Sequence, residues 1–242
     1  MASAADPRVE IQLSLERASN YNRWIGDQAR AVVGRRVLDA GCGSGNITSQ
    51  LLDRDQVVAV DVWDDFVETM EARFGHAPNL AVHQFDLADP ALTEALLPYE
   101  LDSAICANVL EHVEDHRAAL SNIGAALAPG SPIFLLVPAF MLLYGEHDRA
   151  DHHFRRYTKR MLRETVGPLP LEVESMRYMN LPGFFAWLLL VRLMRRTLDE
   201  SKIGLYDRIV PAIRRVEERV RPPFGQTLVA VLRTPSAPGP RA

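Results

Sequence analysis

A glycine-rich turn follows the first predicted strand and carries residues that could hold a small ligand. Asp39 closes this strand, and Gly41, Gly43 and Gly45 follow at alternate positions. Glycine adopts positive φ and lets the backbone approach a ligand closely, because it has no Cβ. The dinucleotide-binding pattern G-x-G-x-x-G would need glycine at position 46, where this chain has asparagine. The turn therefore does not favour a pyrophosphate, and the Asp39 carboxylate suits a cationic ligand.

Polar residues also stand at the ends of the next three predicted strands. They are Asp61, Asp86 and Asn108. A carboxylate after the second strand can accept both hydroxyls of a ribose, whereas helix capping is the alternative role for Asp61 because a helical pattern follows it. Parallel strands end at one edge of a sheet, so these side chains and Asp39 are expected to line one crevice.

Strand and helix patterns alternate in the elements that must position these residues. The predicted strands cover 36–40, 57–60, 80–85, 104–107 and 133–137, and the predicted helices cover 13–33, 46–52, 63–74, 92–96 and 117–127. This alternation predicts a doubly wound parallel sheet of the α/β class. The C-terminal part adds a helix over 158–166, a strand over 171–179, two helical patterns and a strand over 227–233.

Composition sets limits on the class of protein. A chain of 242 residues with 48% hydrophobic and 24% charged residues can bury a core in one domain, which excludes disordered and collagen-like classes. No apolar run reaches the roughly 18 residues of a membrane span. The first residues do not resemble a secretion signal, so a cytoplasmic location is expected. Cys42 and Cys106 alone cannot build a disulfide framework or a thiolate zinc site.

Charge is distributed unevenly along the chain. Residues 1–148 hold 9 Lys or Arg and 22 Asp or Glu, whereas residues 149–242 hold 18 and 9. Opposite signs in the two halves suggest that each meets a different ligand, and solvated helix faces are the alternative. The basic residues are not interleaved with a base-stacking aromatic pattern, so no nucleic-acid partner is expected.

The stretch 37–46, taken with Asp61, Asp86 and 108–113, resembles the class I S-adenosylmethionine-dependent methyltransferases of the small-molecule type. The resemblance covers about residues 20–138. It implies a Rossmann-like seven-stranded sheet with a C-terminal antiparallel hairpin, and S-adenosylmethionine as cofactor. The acidic first half then has a use, because this cofactor carries a sulfonium and an ammonium group.

The same resemblance implies a role for each strand-end residue. Asp39 and the glycines at 41, 43 and 45 would hold the methionine moiety, and Asn108 would line that end. The ribose would lie at Asp61 and Val62, and the adenine at Asp86 and Leu87. Tyr21 and Trp24, which precede the core, would close over the bound ligands; plain helix packing is the alternative.

Residues 137–158 resemble a bacterial subgroup that carries a His-x-Arg-Arg-Tyr signature after the fifth strand, often in biosynthetic enzymes. That subgroup often has glycine where this chain has His152. We predict catalytic roles for His153, His147 and Tyr157, since a histidine can take the proton of a hydroxyl acceptor. We predict substrate binding by Tyr144, Arg155 and Arg156, because an arginine offers a fork for a carboxylate. The alternative is that the Arg-Arg-Tyr segment caps the next helix and pairs with the acidic core.

A metal site is not expected from the histidines of this loop. His147, His152 and His153 lie within seven residues, beside Asp148 and Asp151. Their spacing matches no standard ligand pattern.

Residues 181–223, between the last two strands, predict a helical lid over the acceptor pocket. Arg192, Arg195 and Arg196 form its polar face opposite an apolar one that includes Trp187. A basic amphipathic helix with aromatic residues also permits weak membrane-surface contact, and burial against the core is the simpler alternative.

We therefore expect one methyltransferase domain over 1–242, with a helical cap (1–34), a cofactor-binding core (35–138), a substrate loop and helix (139–170) and the lid. The expected activity is O-methylation of a small, partly apolar, anionic metabolite in a biosynthetic pathway, by a monomer or homodimer. N- or C-methylation, a nicotinamide-dependent oxidoreductase and a non-catalytic binding protein are the alternatives.

Overall fold

The computed structural model describes residues 18–189 and 200–236, with the side chains of 200–202 left aside. The start of the predicted cap therefore lies outside the described residues. So does the middle of the predicted lid, including Arg192, Arg195 and Arg196. Within the described ranges, no helix combines the length and the apolarity that crossing a bilayer requires.

A seven-stranded sheet organises the described part of the chain. Its strands are β1 (Arg36–Ala40), β2 (Gln56–Asp61), β3 (Leu80–Gln84), β4 (Ser103–Ala107), β5 (Pro132–Pro138), β6 (Glu172–Met179) and β7 (Thr227–Arg233). The order is β3-β2-β1-β4-β5-β7-β6. Only β7 runs antiparallel to its neighbours, β5 and β6. The predicted α/β fold class with its C-terminal antiparallel hairpin is confirmed.

Helices cover the sheet and join its strands. They are α1 (Ser19–Arg30), α2 (Asp64–Phe74), α3 (Ala91–Leu96), α4 (His116–Ala125), α5 (Glu146–Ala150), α6 (Lys159–Val166), α7 (Leu181–Ala186) and α8 (Glu200–Glu217). Side-chain caps set three of the described helix starts: Asp115 accepts from the Ala118 amide, Thr158 from the Met161 amide and Asn180 from the Gly183 amide. Each cap satisfies an amide that the first helical turn leaves free.

The chain reverses its direction across the sheet between β1 and β4. From β1 it moves outward through β2 to β3, and it then crosses back to β4 and β5. The central strands are buried on both faces, with Val57–Val60 of β2 fully shielded from solvent. This explains their continuous apolar sequences. A crevice opens at such a reversal, outside the carboxyl ends of the strands, and ligands of this fold bind there.

The helix predicted over 46–52 is wrong. This segment forms a single 3-10 turn over Thr48–Gln50. The Thr48 hydroxyl donates to Oδ2 of Asp39 at 2.6 Å, which ties the segment to the end of β1. Asparagine, threonine and serine in this stretch are also weak helix formers, because their side chains offer the backbone competing hydrogen bonds.

The three turn glycines all have positive φ, at +81° for Gly41, +51° for Gly43 and +86° for Gly45. A Cβ on Gly45 would overlap the sulfur of Met70 and the ring of Phe74 on α2. Gly45 therefore serves the close packing of the turn against α2.

Replacing Gly45 with alanine should destabilise the fold. The new Cβ forces a left-handed conformation on a non-glycine residue and overpacks a buried contact, for a combined loss of about 2–4 kcal/mol in the free energy of unfolding. Gly204→Ala is the matched control, because nothing lies within 4 Å of its Cβ inside α8. Alanine there should raise stability by up to about 1 kcal/mol. Urea unfolding measures both, and equal midpoints would contradict this account of the turn.

Candidate active site

A cavity of about 760 Å³ opens at the carboxyl ends of the parallel strands. This volume lies within the roughly 300–1,000 Å³ that small-ligand sites have. Most residues of the predicted cofactor site line it: Asp39, Gly41, Gly43, Asp61, Val62, Asp86, Leu87 and Asn108. Gly45, predicted with them, is not among the lining residues, in keeping with its packing role.

Asp39 and Asp61 form the inner wall of the cavity and are 3% and 7% exposed. Oδ2 of Asp39 accepts the Thr48 hydroxyl. Asp61 accepts the amide of Gly43 at 2.8 Å through Oδ2 and that of Trp63 at 3.2 Å through Oδ1. The bond to Trp63, just before α2, shows that Asp61 also has the turn-closing role that was its alternative.

Burial changes the acidity of both carboxyl groups. It raises the pKa of Asp39 to about 6, against the smaller effect of the Thr48 hydrogen bond and with a contribution from the Asp61 charge. It also raises the pKa of Asp61, opposed by the backbone amides it accepts. Within the described ranges, neither carboxylate has a cationic side chain as hydrogen-bonding partner. Two buried acids at one cavity wall are costly unless a ligand compensates them.

The outer rim carries the remaining predicted cofactor residues. Asp86 is exposed and its Oδ1 accepts the Ala88 amide at 2.8 Å. Leu87 beside it is buried. Asn108 has φ +56°, and its amide donates to the Leu136 carbonyl at 2.8 Å. Four further aromatic side chains, none of them predicted as site residues, also line the cavity: Trp63, Phe66, Phe85 and Phe154.

Four histidines gather at the other end of the cavity, namely His112, His147, His152 and His153. His147 is half-buried, and its ring meets Trp187 edge-on at 5.1 Å between centroids. Burial lowers the pKa of His147, outweighing the nearby carboxylates. Its imidazole is therefore neutral at neutral pH and can accept a proton.

His153 lines the cavity but does not suit the predicted role of base. Its Nδ1 lies 2.9 Å from Oδ1 of Asp148, and its Nε2 lies 3.2 Å from Oδ2 of Asp151. Burial alone would lower the pKa of His153, but these two hydrogen bonds outweigh it and raise the pKa to about 9. The imidazole is therefore already protonated at neutral pH in the ligand-free protein.

Tyr157 is not in the cavity, so its predicted catalytic role is wrong. Its side chain is fully buried in the core. The hydroxyl lies 2.7 Å from Nδ1 of His116 and donates to the Leu110 carbonyl at 3.2 Å. The bridge between Tyr157 and Ala139, at the end of β5, fixes this inward orientation.

Neither predicted substrate-binding arginine has a free guanidinium. Arg155 donates to the carbonyls of Val113 and Glu114 and does not line the cavity. Arg156 lines the cavity but is buried; its Nε donates to Asp148 at 2.6 Å, and its guanidinium lies 4.9 Å from the centre of the Trp187 ring. The alternative arrangement is present in part: Arg156 pairs with the buried Asp148 carboxylate, but Thr158 caps the next helix and the Arg-Arg-Tyr segment does not.

The three predicted aromatic substrate residues divide between the cavity and the scaffold. Tyr21 lines the cavity, with its hydroxyl 2.9 Å from that of Thr227. Trp24 is buried in the core and does not line the cavity, so the packing alternative holds for it. Tyr144 also lies away from the cavity wall and donates to the carbonyl of His153 at 2.7 Å, which supports the histidine loop.

The sequence analysis did not assign site roles to Glu111, His112 and Asp151, which line the cavity beside His153. Glu111 is 1% exposed, and its Oε2 has no hydrogen-bonding partner. Burial raises the pKa of Glu111 to about 7, with the His153 charge opposing it. In the sequence, the only indication of these residues was the Glu-His pair that begins three residues after Asn108. Only the fold shows that this pair lies beside the loop that carries His153.

Known proteins share sequence features with this chain. Residues 38–133 match the family model of a methyltransferase domain. O-methyltransferase rstn1 of Aspergillus nomiae is 30% identical over 130 residues, which are 52% of this chain and 56% of that protein. O-methyltransferase resE of Aspergillus sclerotiorum is 28% identical over 130 residues, 52% and 48% of the two chains. The chain thus spans about half the length of these curated relatives.

Solved structures share the fold at low sequence identity. The methyltransferase in complex with the Haloferax volcanii Trm112 activator has a TM-score of 0.63 at 17% identity, over 97% of this chain and 99% of that one. The [4+2]-cyclase SpnF has a TM-score of 0.58 at 17% sequence identity, over 90% of this chain and 82% of that one. A SAM-dependent methyltransferase from Archaeoglobus fulgidus has a TM-score of 0.55 at 17% sequence identity, over 88% of this chain and 94% of that one. These solved structures show a shared fold, and within it residues 38–133 are similar to a methyltransferase domain.

Asp39→Asn should stabilise the ligand-free protein in a pH-dependent way. Burial raises the folded-state pKa of Asp39 to about 6, so the folded protein favours the protonated carboxyl group. The contribution of this group to the free energy of unfolding is therefore complete below its unfolded pKa near 3.8 and is lost as pH rises through about 6. At pH 8 the asparagine variant should therefore gain about 1–3 kcal/mol in the free energy of unfolding, with no gain near pH 4. Denaturant unfolding at the two pH values measures this. A loss of stability at pH 8 would contradict the burial argument.

Proposed function

We propose that this chain transfers the methyl group of S-adenosylmethionine to a hydroxyl oxygen of a small, partly apolar acceptor. One observation carries the proposal: Asp39 and Asp61 lie buried side by side at the carboxyl edge of the sheet, face one cavity, and have no cationic side-chain partner among the described residues. A ligand with a cation and vicinal hydroxyls compensates such a pair.

The lining residues fit this cofactor by their chemistry. Asp39 would bind the positively charged methionine end, and Asp61 would accept the ribose hydroxyls. Leu87, Phe85 and Phe66 offer the apolar and aromatic surface that an adenine ring requires. When bound, S-adenosylmethionine supplies a methyl group on a positively charged sulfur, which is a strong electrophile.

The other end of the cavity would hold the acceptor. Trp187 and the histidines form its wall, which offers apolar contact together with hydrogen-bonding groups. Alignment of two reacting groups can contribute roughly 7–11 kcal/mol toward the barrier, so positioning is the main task of this wall. A hydroxyl acceptor also loses its proton, and the neutral imidazole of His147 can accept it.

The charge of the wall favours a neutral acceptor over the anionic one predicted from the sequence. Arg156 is the sole arginine or lysine among the described lining residues, and Asp148 pairs with it. Acidic side chains line the same region: Glu111, Glu114, Asp115 and Asp151. An anion would meet repulsion there, whereas an uncharged phenol or alcohol would not.

The names of the relatives agree with oxygen as the accepting atom, since rstn1 and resE are O-methyltransferases. N- or C-methylation is the alternative. A biosynthetic role, a cytoplasmic location, membrane-surface contact through the lid, the monomer or homodimer and the division into cap, core, substrate loop and lid remain predictions from the sequence.

Titration calorimetry with S-adenosylmethionine and S-adenosylhomocysteine tests cofactor binding. Asp61→Asn keeps the size of the side chain but removes its charge, and it should weaken binding about ten- to a hundredfold. Asp64→Asn, an exposed aspartate at the start of α2, is the matched control and should bind as the unmodified protein does. Absence of heat from either ligand would refute the proposal.

His147→Gln tests proton removal. Once a library of phenols and alcohols identifies an acceptor by a mass gain of one methylene group, this variant should lower kcat about a hundredfold or more while its S-adenosylhomocysteine affinity stays unchanged. His76→Gln, at an exposed position after α2, is the control and should keep full turnover. An unchanged kcat in His147→Gln would remove this residue from the mechanism. Cofactor binding without turnover on any acceptor would favour the non-catalytic alternative.

A further inference from the structure

Four side chains with metal-binding groups meet at the acceptor end of the cavity. Glu111 and His112 follow β4, and Asp151 and His153 lie in the loop after α5; we call these four residues the His-carboxylate cluster. The sequence predicts no metal site, because the histidines of the second loop, with Asp148 and Asp151 beside them, match no standard ligand spacing. The fold brings a carboxylate and an imidazole from each of two loops to one place.

We propose that the His-carboxylate cluster binds one divalent first-row transition cation, such as Mn²⁺, Co²⁺ or Zn²⁺. Two imidazoles with carboxylate oxygens form a donor set that these cations accept well. Mg²⁺ prefers an all-oxygen shell and keeps its waters, so a set with two imidazoles disfavours it.

The distances agree with a common centre. One ligand atom each from Glu111, His112 and His153 lie within 4.8 Å of one another. Oδ2 of Asp151 lies 3.2 Å from Nε2 of His153 and 4.0 Å from Nε2 of His112, so both imidazoles approach the same oxygen. Metal bonds of about 2.0–2.2 Å place ligand atoms about 3–3.5 Å apart in a tetrahedral arrangement. The separation of up to 4.8 Å among the ligand atoms of Glu111, His112 and His153 must therefore shrink by about 1–2 Å for one cation to bind all three.

Glu111 provides an independent indication. Its side chain is 1% exposed, and its Oε2 accepts no hydrogen bond from the protein. A buried carboxylate oxygen without a partner is costly, and each such oxygen requires an explanation. A cation held between Glu111 and the two imidazoles satisfies it.

Asp148, which is outside the His-carboxylate cluster, orients the imidazole of His153. Nδ1 of His153 bonds to Asp148, which is fully buried and also accepts the amide of Gly145 at 2.8 Å and Nε of Arg156 at 2.6 Å. Metal-binding histidines commonly give their other ring N–H to such a carboxylate, which fixes the ring and leaves the second nitrogen for the metal. In the ligand-free protein, the proton on Nε2 bonds to Asp151; a cation would replace that proton.

A backbone hydrogen bond holds the two loops next to each other. The amide of Phe154 donates to the carbonyl of Glu111 at 2.8 Å, which ties the loop after α5 to the loop after β4. His152 has φ +55°, a left-handed turn that separates Asp151 from His153 along the chain. The left-handed turn at His152 thus lets the two neighbouring side chains reach one centre.

The cation can bind whether or not the proposed function is correct. Its role in the reaction, however, rests on the proposed methyl transfer. A divalent cation at the acceptor end would bind the acceptor oxygen and lower the pKa of its hydroxyl group, so that the proton leaves more readily toward His147. This would favour acceptors with neighbouring oxygen atoms, which can bind the cation through both.

The test uses untagged protein stripped with EDTA. Calorimetry with Mn²⁺, Zn²⁺ and Mg²⁺, and the visible absorption of added Co²⁺, should show one equivalent of the transition cations bound, and Mg²⁺ at least tenfold more weakly. Glu111→Gln and His112→Gln should each weaken Co²⁺ binding at least tenfold. His76→Gln is the matched control, because this exposed histidine after α2 does not line the cavity; it should keep the affinity.

Circular dichroism and thermal midpoints show whether each variant folds, and two ligand variants from one loop keep the test valid if one of them fails. No binding of Mn²⁺, Co²⁺ and Zn²⁺ to folded protein would overturn the proposed site. Equal Co²⁺ affinity in Glu111→Gln, His112→Gln and His76→Gln would also overturn it, and the four residues would then form only an ion-pair network. Titration of S-adenosylhomocysteine into the same stripped protein separates the two proposals. If S-adenosylhomocysteine binds but none of the cations does, only the metal site is overturned. If a cation binds but S-adenosylhomocysteine does not, only the methyltransferase proposal is overturned.

Discussion

The structure depends on the burial of negative charge at the carboxyl edge of a parallel sheet. β1 and β2 run side by side, with Ala40 paired to Val60, so Asp39 and Asp61 end adjacent strands at one edge. An ionised carboxyl group inside a protein is expensive unless something compensates it. The protein offers these two carboxylates the Thr48 hydroxyl and the backbone amides of Gly43 and Trp63. The remaining compensation is left to whatever enters the cavity, and the choice of ligand follows from that deficit.

A second buried carboxylate, Asp148, shapes the opposite wall. It accepts hydrogen bonds from His153, Arg156 and the Gly145 amide, so these three residues are joined in one network. Such a network fixes side chains firmly because every partner is satisfied. The consequence is that Arg156 holds the site together instead of meeting a substrate, and that His153 is presented with one nitrogen toward the cavity.

The fold alone leaves the chemistry open. Proteins with this sheet include methyltransferases and the [4+2]-cyclase SpnF, at identities of 17% or less to this chain among those compared above. Function on a shared fold is set by the groups at the site. Here the two cavity ends differ: one has paired aspartates and aromatic surface, and the other has imidazoles with carboxylates. That division agrees with a charged donor at one end and an oxygen acceptor at the other.

The sequence by itself determined the parallel strands of the sheet and the residues at their ends, because continuous apolar runs between glycine and polar residues specify buried parallel strands locally. The C-terminal antiparallel hairpin was predicted from the resemblance to a known family. The prediction from sequence failed at 46–52, where the tertiary bond from Thr48 to Asp39 replaces a helix. It also failed for Tyr157, Arg155 and Trp24, since the side of a loop or helix that meets a cavity is set by packing between distant segments. The meeting of Glu111 and His112 with His153 was decided only by the tertiary structure. Some forty residues of chain separate them, and no local pattern records which loops the sheet brings together.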